Sequence, residues 1–400
     1  MHLAYAVNTF PALSETFVAR EVTALRARGF RVSVYTFRRP SDADVAGMGE
    51  EMRALHAEAV LVRPELPGPR DVPELPRLLA LDRRLGVGHG SSALGRVGRA
   101  LGLARRIRAD RPDRLHAHWP YATMVTHLAS ALTGVPYSAS VHAHEVAHEN
   151  GHFAEAFAEL DWAAFCNGAA MEHLLVQLPP DARARAHLVY HGVETGRFVP
   201  SPMPPAPPLR VVSAGRLTPT KGFDRLVRAC AEARDRGAEV ELTILGQGDD
   251  GARIRAVSRE LGFGAHLRMP GWVSHESVGR ELAQSHVFAL PASTGFHDGL
   301  PNVVLEAMAS GRPVVLSPLP AAREAVTPGV EGMLLESEHD VDGLADALVS
   351  LAADPERLAR MGAAARARAA ADFDAAVGAD RLAELHRGAT PESRSRRPGA

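Results

Sequence analysis

Six of the nine residues from Pro200 to Pro208, PSPMPPAPP, are proline. A stretch of that kind cannot donate ladder hydrogen bonds and reads as a stiff spacer. It interrupts a pattern that runs before it and restarts after it. Ahead of it the strand candidates are 3–7, 31–37, 59–62, 114–117, 137–141, 162–166 and 188–190, with helices expected at 15–28, 95–109, 121–132 and 169–177. Behind it strands are expected at 209–213, 240–245, 266–268, 287–290, 313–316 and 333–335, again with helices between. Strands that alternate with helices form parallel sheets covered on both faces. The expected fold class is therefore α/β: two Rossmann-like, doubly wound domains facing across a cleft, with C-terminal helices. The expected boundaries are 1–199 for the first domain, 200–208 for the linker and 209–372 for the second domain. A helix at 373–388 is expected to pack back on the first domain, ahead of a disordered tail at 389–400.

Four hundred residues exceed what one core usually organises, and an apolar content of 46% supplies two ordinary ones. A formal net charge of −2 argues against a nucleic-acid partner. Cys166 and Cys230, far apart in sequence, suggest no disulfide framework and fit a reducing cytoplasm. The first residues lack the basic and apolar regions of a signal peptide, and no window reaches the length of a membrane span. The expectation is a cytoplasmic protein, able to lie peripherally at the inner face of the membrane. From Arg77 to Arg114 ten arginines stand against three aspartates. Val97, Leu101, Ala104 and Ile107 fall on one face of a helix there, which could rest on an anionic bilayer or simply be a solvated Arg-rich helix packed on its apolar side.

Chemistry concentrates in the second half. Glu306 interrupts an apolar run, VVLEAMA, where a carboxylate faces a large desolvation cost unless it is paired. It lies in a helix beginning near Asn302 and entered through Gly299-Leu300-Pro301, just after the strand VFAL. Helix starts that follow parallel strands collect anions on their unpaired N–H groups. Arg216 and Lys221 lie in another strand-to-helix loop, GRLTPTKGF, where two cations suit a diphosphate or form ordinary surface charges. GQGD at 246–249 is by itself a weak glycine loop.

Taken together, GRLTPTKGFDRLVRA, LGQGDDGARI and the span from Leu290 to Val315 resemble retaining nucleotide-sugar glycosyltransferases of family 4, which have the GT-B fold. FPALSETFVAREVTAL near the N-terminus and YHGVETGRF at 190–198 look like the branch that assembles exopolysaccharides, similar to colanic acid and amylovoran transferases. The resemblance implies transfer of a sugar from a UDP- or GDP-linked donor to a saccharide or lipid-linked glycan acceptor, with no cofactor and no metal. It implies that Arg216 and Lys221 neutralise the donor diphosphate and that Glu306 binds the ribose hydroxyls. Asp298, eight positions earlier, stands where the family usually has Glu and would contact the donor sugar. Gly299, Leu300, Pro301 and Asn302 would line the sugar and phosphate pocket, and Val273, in the loop Gly271-Trp272-Val273, would sit against the base. Trp272 could equally pack beneath the helix. His142, in SASVHAHEV, falls on the sugar-contacting histidine. Ser14 and Glu15 lie in the first strand-to-helix loop, where they could touch an acceptor or cap the helix.

One competing motif is present. His144-Glu145-Val146-Ala147-His148 matches HExxH, in which two imidazoles bind zinc and the glutamate activates water. His152 comes too early for the extended form, and Asn150-Gly151 would end a helix almost at once. A zinc metallohydrolase is thus one alternative. A non-catalytic GT-B protein that binds a nucleotide sugar is another, because of Asp298.

Overall fold

The computed structural model describes residues 1–12, 16–84, 92–142, 157, 159–176, 178, 180–293 and 300–388. They form two compact units, Met1–His191 with Gly378–Ala400, and Gly192–Val377.

The first unit is built on seven strands: β1 (His2–Thr9), β2 (Arg31–Arg38), β3 (Val60–Leu61), β4 (Arg114–His118), β5 (Tyr137–Val141), β6 (Ala163–Phe165) and β7 (Ala186–Leu188). All pair in parallel, in the order β3-β2-β1-β4-β5-β6-β7. The run HLAYAV in β1 is buried throughout, as an interior strand covered on both faces requires. Its side chains alternate between two cores. Leu3, Tyr5 and Val7 join Val18, Val22 and Leu25 of the helix Thr16–Ala27, whereas Ala4 and Ala6 join Leu101, Val125 and Leu128 on the other face. The helix Ala375–His386 adds Leu382, Ala383 and Leu385 to the first of these cores.

The helix Ala93–Asp110 places Val97, Leu101, Ala104 and Ile107 in that second core, each at 3% exposure or less. Its apolar face is therefore not available to a bilayer. The solvated-helix reading is the one that the packing supports.

The second unit has six parallel strands: β8 (Leu209–Ala214), β9 (Val240–Leu245), β10 (Leu267–Gly271), β11 (Val287–Leu290), β12 (Val314–Leu316) and β13 (Gly332–Leu334). Their order is β10-β9-β8-β11-β12-β13. In the helix Phe223–Asp235, Phe223, Leu226, Val227 and Cys230 are all buried, the spacing of a helix with one face in the core.

The proline stretch is strapped to this second unit. Arg312 is fully buried and donates through Nη2 to the carbonyls of Ser201 at 2.9 Å and Ala283 at 3.2 Å. Burial pulls its pKa down to about 10. His286 Nε2 faces the Pro204 carbonyl at 2.9 Å, while its Nδ1 accepts from the Arg210 N–H at 2.8 Å. The division between units consequently falls before the prolines, between His191 and Gly192.

Candidate functional site

In the second unit the strand order reverses between β8 and β11, and ligands of such sheets bind beyond the strand ends at that point. The loop after β8 runs through Gly215 and Arg216 to a short 3-10 turn, Pro219–Lys221, and then to Gly222. It is fastened to the segment after β11. The Ser293 N–H donates to the Thr220 carbonyl at 2.7 Å, and Arg225 Nη2 donates to the Pro291 carbonyl at 2.7 Å. Gly222 makes the approach possible: its φ is +68°, and a Cβ there would lie 2.0 Å from the Pro291 oxygen.

Lys221 runs its methylenes past Gly215, where an added Cβ would meet the lysine Cε at 3.8 Å. Arg216 is exposed. The GQGD loop after β9 supports this backbone. Gly246 has φ +130°, and a Cβ on it would come within 2.0 Å of the Gly215 oxygen. Its role in the structure is close backbone packing.

From the β11 side comes the helix Asn302–Ala309. Its N-cap residue is Pro301, which gives no side-chain cap, so the first turn keeps N–H groups for an anion. Leu300 and Pro301 are half-buried and Asn302 is exposed, whereas Glu306, one turn in, is 7% exposed. Asp298 and Gly299 lie outside the described residues. Trp272 is 70% exposed, so it does not pack beneath a helix, and Val273 beside it is half-buried.

The first unit holds a second concentration of chemistry. Ser14, Glu15, His144, Glu145 and His148 lie outside the described residues. His142 follows β5 directly and is buried among aromatic rings. It stacks on Trp119 at a 4.1 Å centroid distance and on His118 at 5.5 Å. Trp119 itself sits at φ +77°, a conformation that a bulky side chain adopts only where its surroundings impose it. His142 Nε2 lies 3.3 Å from His118 Nδ1, and His142 Nδ1 lies 3.2 Å from His191 Nε2. Beyond His118 is Glu21, whose Oε1 is 3.4 Å from His118 Nε2 and accepts from the Tyr5 hydroxyl at 2.6 Å. His386 Nε2 approaches the same hydroxyl at 3.4 Å.

Burial disfavours charge on four rings of this cluster. It takes His116 and His142 well below the ordinary imidazole value, His191 down to about 4 and His386 down to about 3. Burial works on Glu21 in the opposite sense, but His118 and the Tyr5 hydroxyl outweigh it and hold the carboxyl below its usual value.

The donor atoms of Glu21, His116 and His118 lie within 4.8 Å of one another, as do those of His142, Cys166 and His191. However, His116 already bonds Ser138 at 2.8 Å and Ser140 at 3.0 Å, and His142 and His191 bond each other. We read His118, His142 and His191 as a row of hydrogen-bonded rings with Glu21 3.4 Å from its inner end, and His116 as tied separately to the two serines. Of its members the sequence pointed only to His142. Glu21 and His191 lie within the motifs FVAREV and YHGVET, but nothing in their spacing places them side by side.

The comparisons with known proteins agree with this architecture. The pattern described as Glycosyl transferases group 1 matches residues 201–368, and that of Glycosyltransferase Family 4 matches residues 14–197. A GDP-mannose-dependent alpha-(1-6)-phosphatidylinositol monomannoside mannosyltransferase of Mycolicibacterium smegmatis is 32% identical over 337 residues, 80% of this chain and 81% of its own. A putative colanic acid biosynthesis glycosyltransferase of Escherichia coli is 33% identical over 48% of this chain and 49% of its own. The crystal structure of Anabaena HepE in complex with UDP superimposes with a TM-score of 0.74 at 17% identity, covering 97% of this chain and all of that one.

Two parallel α/β sheets followed by C-terminal helices, with such neighbours, define a GT-B protein. The chain belongs to glycosyltransferase family 4, whose retaining enzymes transfer a sugar from a nucleotide sugar.

Proposed function

We propose that the protein transfers a hexosyl group from a UDP- or GDP-linked sugar to a saccharide or lipid-linked glycan during the synthesis of a cell-surface polysaccharide or glycolipid. The observation that carries this reading is the switch point of the second unit. There a loop bearing Arg216 and Lys221 is hydrogen-bonded to the segment that leads, through an uncapped helix start, to Glu306. Departure of a nucleoside diphosphate develops negative charge on the leaving oxygen. Two cations and oriented N–H groups stabilise such charge without reorganising. The buried Glu306 supplies an acceptor for ribose hydroxyls.

In this reading the donor binds on the second unit and the acceptor on the first, with His142 and Trp119 belonging to the sugar-handling surface. Asp298 is proposed to stand in for the usual glutamate. A lipid-linked acceptor is favoured by the mannosyltransferase relative, whose name gives phosphatidylinositol monomannoside as the substrate. The colanic acid relative favours the polysaccharide branch. No described helix is long and apolar enough to cross a membrane.

A thermal-shift screen over UDP- and GDP-sugars identifies the donor, followed by nucleotide release with and without lipid-extract and oligosaccharide acceptors. Acceptor-stimulated release supports the reading. Donor binding with no release under any acceptor would favour the non-catalytic alternative.

A further inference from the structure

Between β3 and the helix Leu75–Arg84 the chain of the first unit reads PELPGPRDVPE, from Pro64 to Glu74. This segment is laid against the helix Ala93–Asp110, in which two glycines make room for it. A Cβ on Gly98 would lie 3.2 Å from the Glu65 oxygen, and one on Gly102 would lie 2.4 Å from the Arg63 oxygen. The Glu65 N–H donates to the Gly98 carbonyl at 2.9 Å, and Arg105 Nη2 donates to the Leu66 carbonyl at 2.8 Å. Asp71 closes the following turn. Its Oδ2 accepts from the Gly68 N–H at 2.9 Å, while its own N–H donates to the Gly68 carbonyl at 2.9 Å. Pro64, Pro67 and Pro69 fix φ at three further positions.

All of this holds apolar side chains out in water. Leu66 is 87% exposed and Val72 54%. Leu94, one turn before Gly98 on the same ridge of its helix, is 76% exposed. One leucine in solvent is ordinary. Here the backbone is hydrogen-bonded on both sides of Leu66 and stiffened by prolines, so the side chain is presented with little left to order on binding. The charge around it is one-sided. Arg105 holds Glu65, Arg105 and Arg108 face Asp71 at 3.5 and 3.7 Å, Arg77 faces Glu74 at 3.6 Å, and Arg96 holds Asp82. Arg63, Arg70 and Arg83 are exposed and have no ion pair among the described residues, so positive charge is in excess.

We propose that Leu66, Val72 and Leu94, together with Arg63, Arg70 and Arg83, form a docking surface for an anionic lipid bilayer. The surface is not the apolar face of the helix Ala93–Asp110, which is used up in the core. It is the segment carried on that helix, with the exposed residue at the helix start. The apolar side chains enter the boundary between headgroups and acyl chains, while the guanidinium groups pair with lipid phosphates above them. Three apolar tips set among cations and prolines are too sparse for the packed apolar centre of a protein interface. A fluid lipid surface closes around each of them separately. The inference does not depend on the transferase reading, because docking is measured without any substrate.

The test sediments the full-length protein with vesicles of phosphatidylcholine, with and without phosphatidylglycerol, at low and high salt. The wild type should bind the phosphatidylglycerol vesicles at low salt, and at least about tenfold more weakly at high salt or without the anionic lipid. Leu66→Asn/Leu94→Asn keeps every charge and should weaken binding at least about tenfold, the scale of one leucine leaving an apolar medium. Arg63→Gln/Arg70→Gln should weaken it about 25-fold, at about fivefold for each guanidinium near the surface. These four side chains are exposed, so the melting transition should not move. The emission of Leu66→Trp should shift to the blue when anionic vesicles are added. No binding by the wild type at low salt overturns the proposal. So does wild-type binding by the leucine variant, which would be adsorption by charge alone, or indole emission that stays that of water. A wild type that ignores vesicles but self-associates through Leu66 in sedimentation velocity would assign the surface to a second copy and equally overturn it.

Discussion

Arg96 holds Asp82 by two hydrogen bonds, Nε to Oδ1 at 2.6 Å and Nη2 to Oδ2 at 2.7 Å, and both side chains are at 2% exposure or less. The pair joins the helix Leu75–Arg84 to the helix Ala93–Asp110 inside the first unit. Removing one partner takes both of these hydrogen bonds from the other charge, which stays buried. Asp82→Ala should cost about 3–5 kcal/mol in urea unfolding. The double variant Asp82→Ala/Arg96→Met should recover much of that loss, because apolar contacts can replace a buried ion pair.

At the proposed donor site, Lys221→Ala and Glu306→Gln should each lower kcat/KM at least about 100-fold, the scale seen when one preorganised electrostatic partner is removed. The melting transition should move by no more than a few degrees, because Lys221 lies on a half-exposed loop. Initial rates at varied donor concentration check the first expectation and calorimetry the second. Full activity in both variants would remove the site assignment.

Gly222→Ala tests the fastening of the two loops. The new methyl group would lie 2.0 Å from the Pro291 carbonyl and 2.5 Å from Arg225 Nη2, at a positive φ. The variant should lose more than about 1 kcal/mol of stability and bind the donor at least tenfold more weakly, since the same displacement moves Lys221. Ala at Gly262, which also has positive φ but an open surrounding, should cost only the backbone term and leave donor binding intact.

The buried imidazoles make stability depend on pH with a definite sign. His191 and His386 have folded pKa values of about 4 and about 3, below the ordinary 6.5. Between those values the unfolded chain binds protons that the folded chain refuses. Their contribution is therefore complete above about pH 6.5 and is lost as pH falls toward 4 and 3, with a slope of about 1.4 kcal/mol per pH unit for each group. Urea midpoints measured from pH 7.5 to 4.5 should fall steadily. The double variant His191→Gln/His386→Gln should flatten that decline.

Much of this molecule could be read from its residues, and where reading failed the cause is physical. β5, β9 and β11 fall where short apolar runs between turn residues put them, because nothing else competes for those segments. β7 begins and ends two residues before the expected 188–190, since its register against β6 pairs Ala186 with Ala163 and leaves Tyr190 and His191 beyond the sheet. The helices Asp42–Gly47 and Glu50–Glu58 were not legible. The second buries only Leu55, and a single apolar residue makes no periodic signal. Glu306 announced itself because a carboxylate inside VVLEAMA is conspicuous. Glu21 did not, because VAREVTAL is an ordinary amphipathic pattern until folding brings Tyr5 and His118 against it. Residues that work through neighbours distant in sequence leave no local trace.

The helix Ala375–His386 has a consequence for how the protein is made. It supplies Leu382, Ala383 and Leu385 to a core begun by Leu3 and Tyr5, so the half of the molecule translated first lacks one wall until this helix has been made. On the ribosome the later-made half, continuous in sequence, can close as soon as it emerges, while the earlier one must wait with its sheet partly uncovered. Loss of the C-terminal segment would accordingly be felt at the opposite end of the chain.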